Sequence, residues 1–157
     1  MPFFYTWEDA VSLTQNTNIC LALFSIPATV TMSLVSLEIS VAATYTNPIK
    51  FWVSEAADDG TASGAGVVLN IHNSNQTTGS AITVYKGNDF SVQPGFTDFD
   101  TQDISQGIWW LPSGQMIHRQ WMEEERRKWP TGFVAVWANN PNTAVTASVV
   151  AHFESSS

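Results

Sequence analysis

Alternation with a period of two runs through much of this chain. Val30, Met32 and Leu34 alternate with Thr31 and Ser33, after which Val35, Leu37, Ile39 and Val41 alternate with Ser36, Glu38 and Ser40. Successive side chains of a strand point to opposite faces, so this pattern predicts half-buried strands. The phase slips by one residue between Leu34 and Val35. Two adjacent apolar residues at that point predict a β-bulge, or a strand that passes from one sheet to another.

Shorter strands follow. Residues 49–53 form one after the turn signal Asn47-Pro48, and Val67, Leu69 and Ile71 share a face opposite Val68, Asn70 and His72. Ile82 and Val84 mark another, and Ile108-Trp109-Trp110-Leu111 is apolar on both faces. Phe133, Ala135 and Trp137 lead into Asn139-Asn140-Pro141-Asn142, and Val145, Ala147, Val149, Ala151 and Phe153 alternate beyond it. That spacing predicts a terminal hairpin. The glycine-rich residues 60–66 precede a strand and read as a hairpin loop. Only residues 116–129 look helical: Glu123 and Arg127, and Glu124 and Lys128, are spaced i,i+4, Ile117 and Trp121 share the inner face, and Pro130 ends the run.

The predicted fold is therefore mainly β, an antiparallel β-sandwich (jelly-roll-like) of about eight strands with one short helix. Residues 1–18 read as an N-terminal arm, because Phe3, Phe4, Tyr5 and Trp7 fall outside the alternating pattern. Residues 19–154 form a single sandwich domain, and 155–157 a flexible tail.

Composition sharpens this picture. Of 157 residues 44% are hydrophobic and only 13% charged, so the polar surface rests on Ser, Thr, Asn and Gln, which suit sheet faces and loops. The net charge is −8, with six Lys and Arg in total. Nucleic-acid binding needs basic residues spread along a groove, so direct packaging of DNA or RNA is not expected. Anionic membrane surfaces are disfavoured by the same arithmetic. Residues 10–37 carry no charge, but Gln15, Asn16, Asn18 and Pro27 interrupt the run, and Glu8 and Asp9 stand where a signal peptide has Lys or Arg. Neither a spanning helix nor a signal peptide is expected.

Candidate chemistry is sparse. Cys20 is the one cysteine; it lies in Ile19-Cys20-Leu21-Ala22-Leu23 and reads as a buried apolar thiol made in a reducing compartment. His72, His118 and His152 fall in separate elements without metal-ligand spacing. Asp98, Asp100 and Asp103 place oxygens at a spacing that suits Ca²⁺, yet the turn glycine and downstream Glu of an EF-hand loop are missing, so they read as a solvated loop. The Asn75-Gln76-Thr77 sequon has meaning only in a secreted eukaryotic protein. Neither a nucleophile–base setting nor a carboxylate pair stands out, so no enzyme activity and no cofactor are expected. Trp109 and Trp110, adjacent in one strand, must face opposite ways: one into the core, the other toward solvent, a sugar ring or a protein partner.

The order of several stations resembles that of small bacteriophage virion proteins. These are Phe51-Trp52-Val53-Ser54-Glu55, Gly64-Ala65-Gly66 and Leu69-Asn70-Ile71-His72-Asn73. Further on come Trp110-Leu111-Pro112-Ser113-Gly114, Trp129-Pro130-Thr131-Gly132-Phe133 and Ala151-His152-Phe153-Glu154. The resemblance spans roughly residues 35–154. It implies a capsid-decorating or other head-associated protein with a β-sandwich fold, located in the virion after assembly in the host cytoplasm. The implied partners are the major capsid protein and copies of the chain itself, as a homotrimer. The expected contacts are Phe3, Phe4, Tyr5 and Trp7 of the arm, with Trp109 and Trp110. A carbohydrate-binding module and a tail or head-fibre component are the alternatives.

Overall fold

A computed structural model describes residues 3–66, 68–70, 80–96 and 107–156. The strands in chain order are β1 (Phe3–Leu13), β2 (Asn18–Ile26), β3 (Thr31–Val41), β4 (Ile49–Glu55), β5 (Thr61–Ala62) and β6 (Leu69–Asn70). They continue with β7 (Thr83–Lys86), β8 (Phe90–Val92), β9 (Ile108–Leu111), β10 (Met116–Gln120), β11 (Gly132–Asn139) and β12 (Val145–Ser156). Two five-stranded antiparallel sheets pack face to face, as predicted: sheet I in the order β10-β3-β12-β1-β6 and sheet II in the order β7-β2-β11-β4-β9. Strands β5 and β8 pair separately. The Asp98, Asp100 and Asp103 cluster, the Asn75-Gln76-Thr77 sequon and His72 lie outside the described residues. No helix among the described residues is long and apolar enough to cross a membrane.

The core between the sheets is built from the inward positions of the long strands, including Phe4, Leu13, Phe24, Leu37, Phe51, Val136 and Phe153. The predicted irregularity in β3 is a bulge at Val35. His152 pairs with Ser36 and Phe153 with Leu34, which leaves Val35 as the extra residue, and its carbonyl accepts from Trp121 N at 2.9 Å. Sheet II is apolar on its outer face as well. There Cys20, Leu23, Trp52, Ala135 and Trp137 form a second cluster, with Phe90 and Phe96 packed on it. Trp52 and Trp137 stack at 6.2 Å between ring centroids, and Phe96 lies 5.1 and 5.3 Å from them. Covering on both faces explains why β2 reads as a continuous apolar run. A bulge at Leu21 removes Cys20 N from the ladder, and the Gln93 side-chain oxygen accepts from it at 2.8 Å.

Four expectations are corrected. Residues 1–18 are not an arm: Phe3–Leu13 is β1, hydrogen-bonded between β12 and β6, and Phe4 is 1% exposed. Its pattern was hidden by a bulge at Asp9-Ala10, opposite Ser148, which moves the inward positions from Phe4 and Thr6 to Val11 and Leu13. Ser155 and Ser156 extend β12 instead of starting a tail, since Ser155 is buried and Ser156 pairs with Thr31, their hydroxyls 2.8 Å apart.

Residues 116–129 do not form the predicted helix. They are β10 followed by a single 3-10 turn at Glu123–Glu125, where Glu125 Oε2 accepts from Met122 N at 2.8 Å. Ile117 and Trp121 are four apart, a spacing that keeps one face in a strand as well as in a helix. The unpaired edge of β3 decides the matter by offering a ladder. Finally, β11 and β12 do not make a hairpin, because they lie in different sheets. Their connection is a corner held by buried Asn140. Its amide donates to Leu13 O and Thr143 O at 3.1 and 3.2 Å, and its own carbonyl accepts from Asn16 N at 2.7 Å.

Candidate interaction site

The six aromatic residues singled out in the sequence do not form one site. Phe3, Tyr5 and Trp7 project from the outer face of sheet I, while Phe4 points inward onto Phe153 at 5.5 Å. Tyr5 stacks on Trp7 at 5.8 Å and meets His152 edge-on at 5.8 Å, and Lys86 Nζ of β7 lies 4.7 Å from the Trp7 ring. Trp7 is thus half covered, by a cation from the other sheet. This set sits at the β1/β7 side of the sandwich.

Trp109 and Trp110 occupy the opposite side, where the edge strands β9 and β10 come together. They split as the strand geometry requires. Trp109 turns inward, packing on the core and meeting Trp121 edge-on at 6.3 Å. Trp110 turns outward and is 61% exposed. Lys50, its cross-strand partner in β4, places Nζ 5.7 Å from the Trp110 ring. Burial beside the rings of Trp52 and Trp110 pushes the Lys50 amine below its ordinary range.

The link from β9 to β10 is a tight turn in which Gln115 N donates to Pro112 O at 3.4 Å. Gly114 has φ +82°, the left-handed value a type II turn requires at its third residue. The turn closes one end of a groove of about 440 Å³ between the two edges, lined among others by Trp109, Trp110, Gln115, Met116, His118 and Arg119. Met116 is 57% exposed. Of the lining residues, Arg119 Nη2 lies 3.5 Å from Glu125 and His118 Nε2 lies 3.5 Å from Glu38.

Sequence reasoning found the two tryptophans but missed Met116, His118 and Arg119, which it had placed on a helix. The usable signal was Pro112-Ser113-Gly114-Gln115 between two apolar-containing runs, a turn that folds residues 116–120 back beside Trp109 and Trp110. A second cleft of about 380 Å³ lies over Arg126 and Glu154, where the 121–129 segment crosses sheet I. Cys20 is fully buried, and burial pushes its thiol up, which disfavours the thiolate a nucleophile needs. Among the described residues, no three or more His, Cys, Asp or Glu side chains gather in a way that could hold a metal ion. No protein-family model, curated protein or solved structure matches the chain.

Proposed function

We propose that this chain is a non-enzymatic structural protein of a bacteriophage particle, a capsid decoration protein that binds the assembled head and stabilises it. The observation that carries the reading is Trp110, a large aromatic side chain 61% exposed on a short edge strand. A rigid strand holds the ring ready, and tryptophan is among the side chains that dominate binding energy at protein interfaces. The alternation of consecutive strands between the sheets also supports it. Taking β1 to β4 and β9 to β12 as the eight principal strands, their order by position is 1-8-3-6 in sheet I and 2-7-4-5 in sheet II. That winding supports the jelly-roll form of the sandwich, an architecture used by viral capsid and lectin domains alike.

In this reading the β9/β10 edge meets the major capsid protein, and the Tyr5–Trp7 side meets a sister copy in a trimer. Binding only the assembled lattice stabilises it by mass action, by about 2.7 kcal/mol at a hundred times the dissociation constant. The net charge of −8 keeps decorated particles soluble and apart.

Mass spectrometry of purified virions, with copies counted against the major capsid protein, tests the proposal directly. Heating particles with and without the protein tests its role: decorated heads melt higher, and Trp110→Ala removes the gain. Absence from virions overturns the reading. So does unchanged melting combined with saturable quenching of Trp110 fluorescence by a host polysaccharide, which moves the chain to the carbohydrate-binding class.

A further inference from the structure

We infer that the β9/β10 groove takes an extended segment of a protein partner in which acidic and apolar side chains alternate, added as a strand along the free edge of β9. The inference rests on the docking role assigned to Trp110 and names what docks there.

The edge itself is the first argument. Val53 N donates to Gly107 O at 3.2 Å, and the register continues through Trp52↔Ile108, Phe51↔Trp109 and Lys50↔Trp110. In an antiparallel ladder hydrogen-bonded pairs alternate with non-bonded ones, so Ile108 and Trp110 aim their N–H and C=O groups away from β4. Among the described residues no strand pairs with that side. A partner strand placed there gains main-chain hydrogen bonds, while alternate side chains meet Trp110 on one face and the groove on the other.

Charge is the second argument. The chain is acidic overall, yet among the described residues no carboxylate lines this groove, and its fixed positive charge is that of Arg119. Lys50 stands over Trp110 at the outer rim. Glu125 lies 3.5 Å from Arg119 as an exposed pair that holds little energy, and Glu38 lies 3.5 Å from His118. The guanidinium has five donors, enough to keep Glu125 and accept an incoming carboxylate.

Composition selects protein over glycan. Among the described residues the lining combines Trp, Met and Arg without Lys, Asp, Glu, Ser or Ala, which is the bias of protein interfaces. Exposed Met116 supplies an adaptable apolar contact. Sugar hydroxyls both donate and accept, and with no carboxylate among its described lining residues the groove offers them few side-chain acceptors.

The test uses the full-length protein and three probes: the blocked peptide Asp-Phe-Asp-Leu-Asp-Phe, its counterpart with Lys in place of Asp, and the neutral hexasaccharide maltohexaose. The acidic peptide is expected to bind, more weakly as salt rises, and to perturb the amide resonances of Ile108 and Trp110. Arg119→Glu should weaken it at least tenfold and shift preference toward the lysine peptide. Lys50→Glu, at a separate point of the rim, should do the same if Arg119→Glu perturbs folding. Equal or tighter binding of the lysine peptide to the native protein overturns the inference. Unchanged affinity in both charge variants, or hexasaccharide displacing the peptide from the same residues, also overturns it. The capsid reading fails separately. If Arg119→Glu and Lys50→Glu coat particles normally while Trp110→Ala does not, decoration stands and the acidic-strand partner falls.

Discussion

Arg126 Nη1 lies 3.2 Å from Glu154 Oε2 with the two side chains only 16% and 7% exposed, on the outer face of the central strand of sheet I. Arg126 also donates from Nε to Trp121 O at 3.2 Å, so one side chain ties the 121–129 segment across β12. Removing one partner of a buried pair strands the other charge. Arg126→Ala is therefore expected to cost about 3–5 kcal/mol, whereas replacing both residues by apolar ones, Arg126→Met with Glu154→Leu, should be near neutral. Urea denaturation of the three proteins decides this. Equal losses in the single and double variants mean that packing, not charge, holds the segment.

Phe4 tests the placement of β1. It packs on Phe153, which in turn meets Phe24 of sheet II at 5.3 Å. Phe4→Ala should cost about 3–5 kcal/mol, a large share of the 5–15 kcal/mol typical of a domain. Deleting residues 1–7 should prevent folding rather than merely weaken attachment. A truncated protein with a native melting curve means that the first strand is dispensable.

The contrast between Val35 and Ala10 explains how much of this fold was legible in the sequence. Both sit at bulges. Val35 interrupts a long, clean alternation, so the slip beside Leu34 announces it. At Ala10, with φ 52°, no glycine or asparagine marks the left-handed residue. The alternation before it was masked by Phe3, Tyr5 and Trp7 on the outer face and Thr6 on the inner one. Which sheet a strand joins was equally hidden, because the inward residues of β11 and β12 satisfy a hairpin and a sheet crossing alike. The Trp109/Trp110 split followed from pleat geometry alone. The groove beside them required knowing that residues 116–120 pair with β3, and a four-residue spacing does not distinguish strand from helix.

Gly87 probes how closely the segment before β8 approaches the sandwich. A Cβ built there stands 2.7 Å from Cys20 O and 2.7 Å from Val11 Cγ1, and the first of these is backbone that cannot turn aside. Gly87→Ala should destabilise by about 1–3 kcal/mol through overpacking. Gly64→Ala, with nothing within 4 Å, serves as the control and should change stability little. Matching denaturation midpoints for the two variants count against the close approach.

Tyr45 gives a pH dependence with a definite sign. Its hydroxyl donates to Leu111 O at 2.8 Å, bracing the end of β9 beside the groove. Burial pushes the phenol above its ordinary value near 10. A raised folded-state pKa means that the unfolded chain releases this proton first. The contribution of Tyr45 is therefore complete below the unfolded value, and it declines as pH rises from there through the folded one. A phenolate cannot donate to Leu111 O, so the hydrogen bond is lost as the proton leaves. Tyr45→Phe should lower stability by about 1 kcal/mol at neutral pH, the usual net worth of one hydrogen bond. Its difference from the native protein should shrink as pH rises beyond about 10, where the native residue has lost the same bond. Urea denaturation of both proteins at intervals from neutral to pH 11 measures this. A gap that stays constant across that range means that Leu111 O draws nothing from the phenol, and that β9 is held by its ladder to β4 alone.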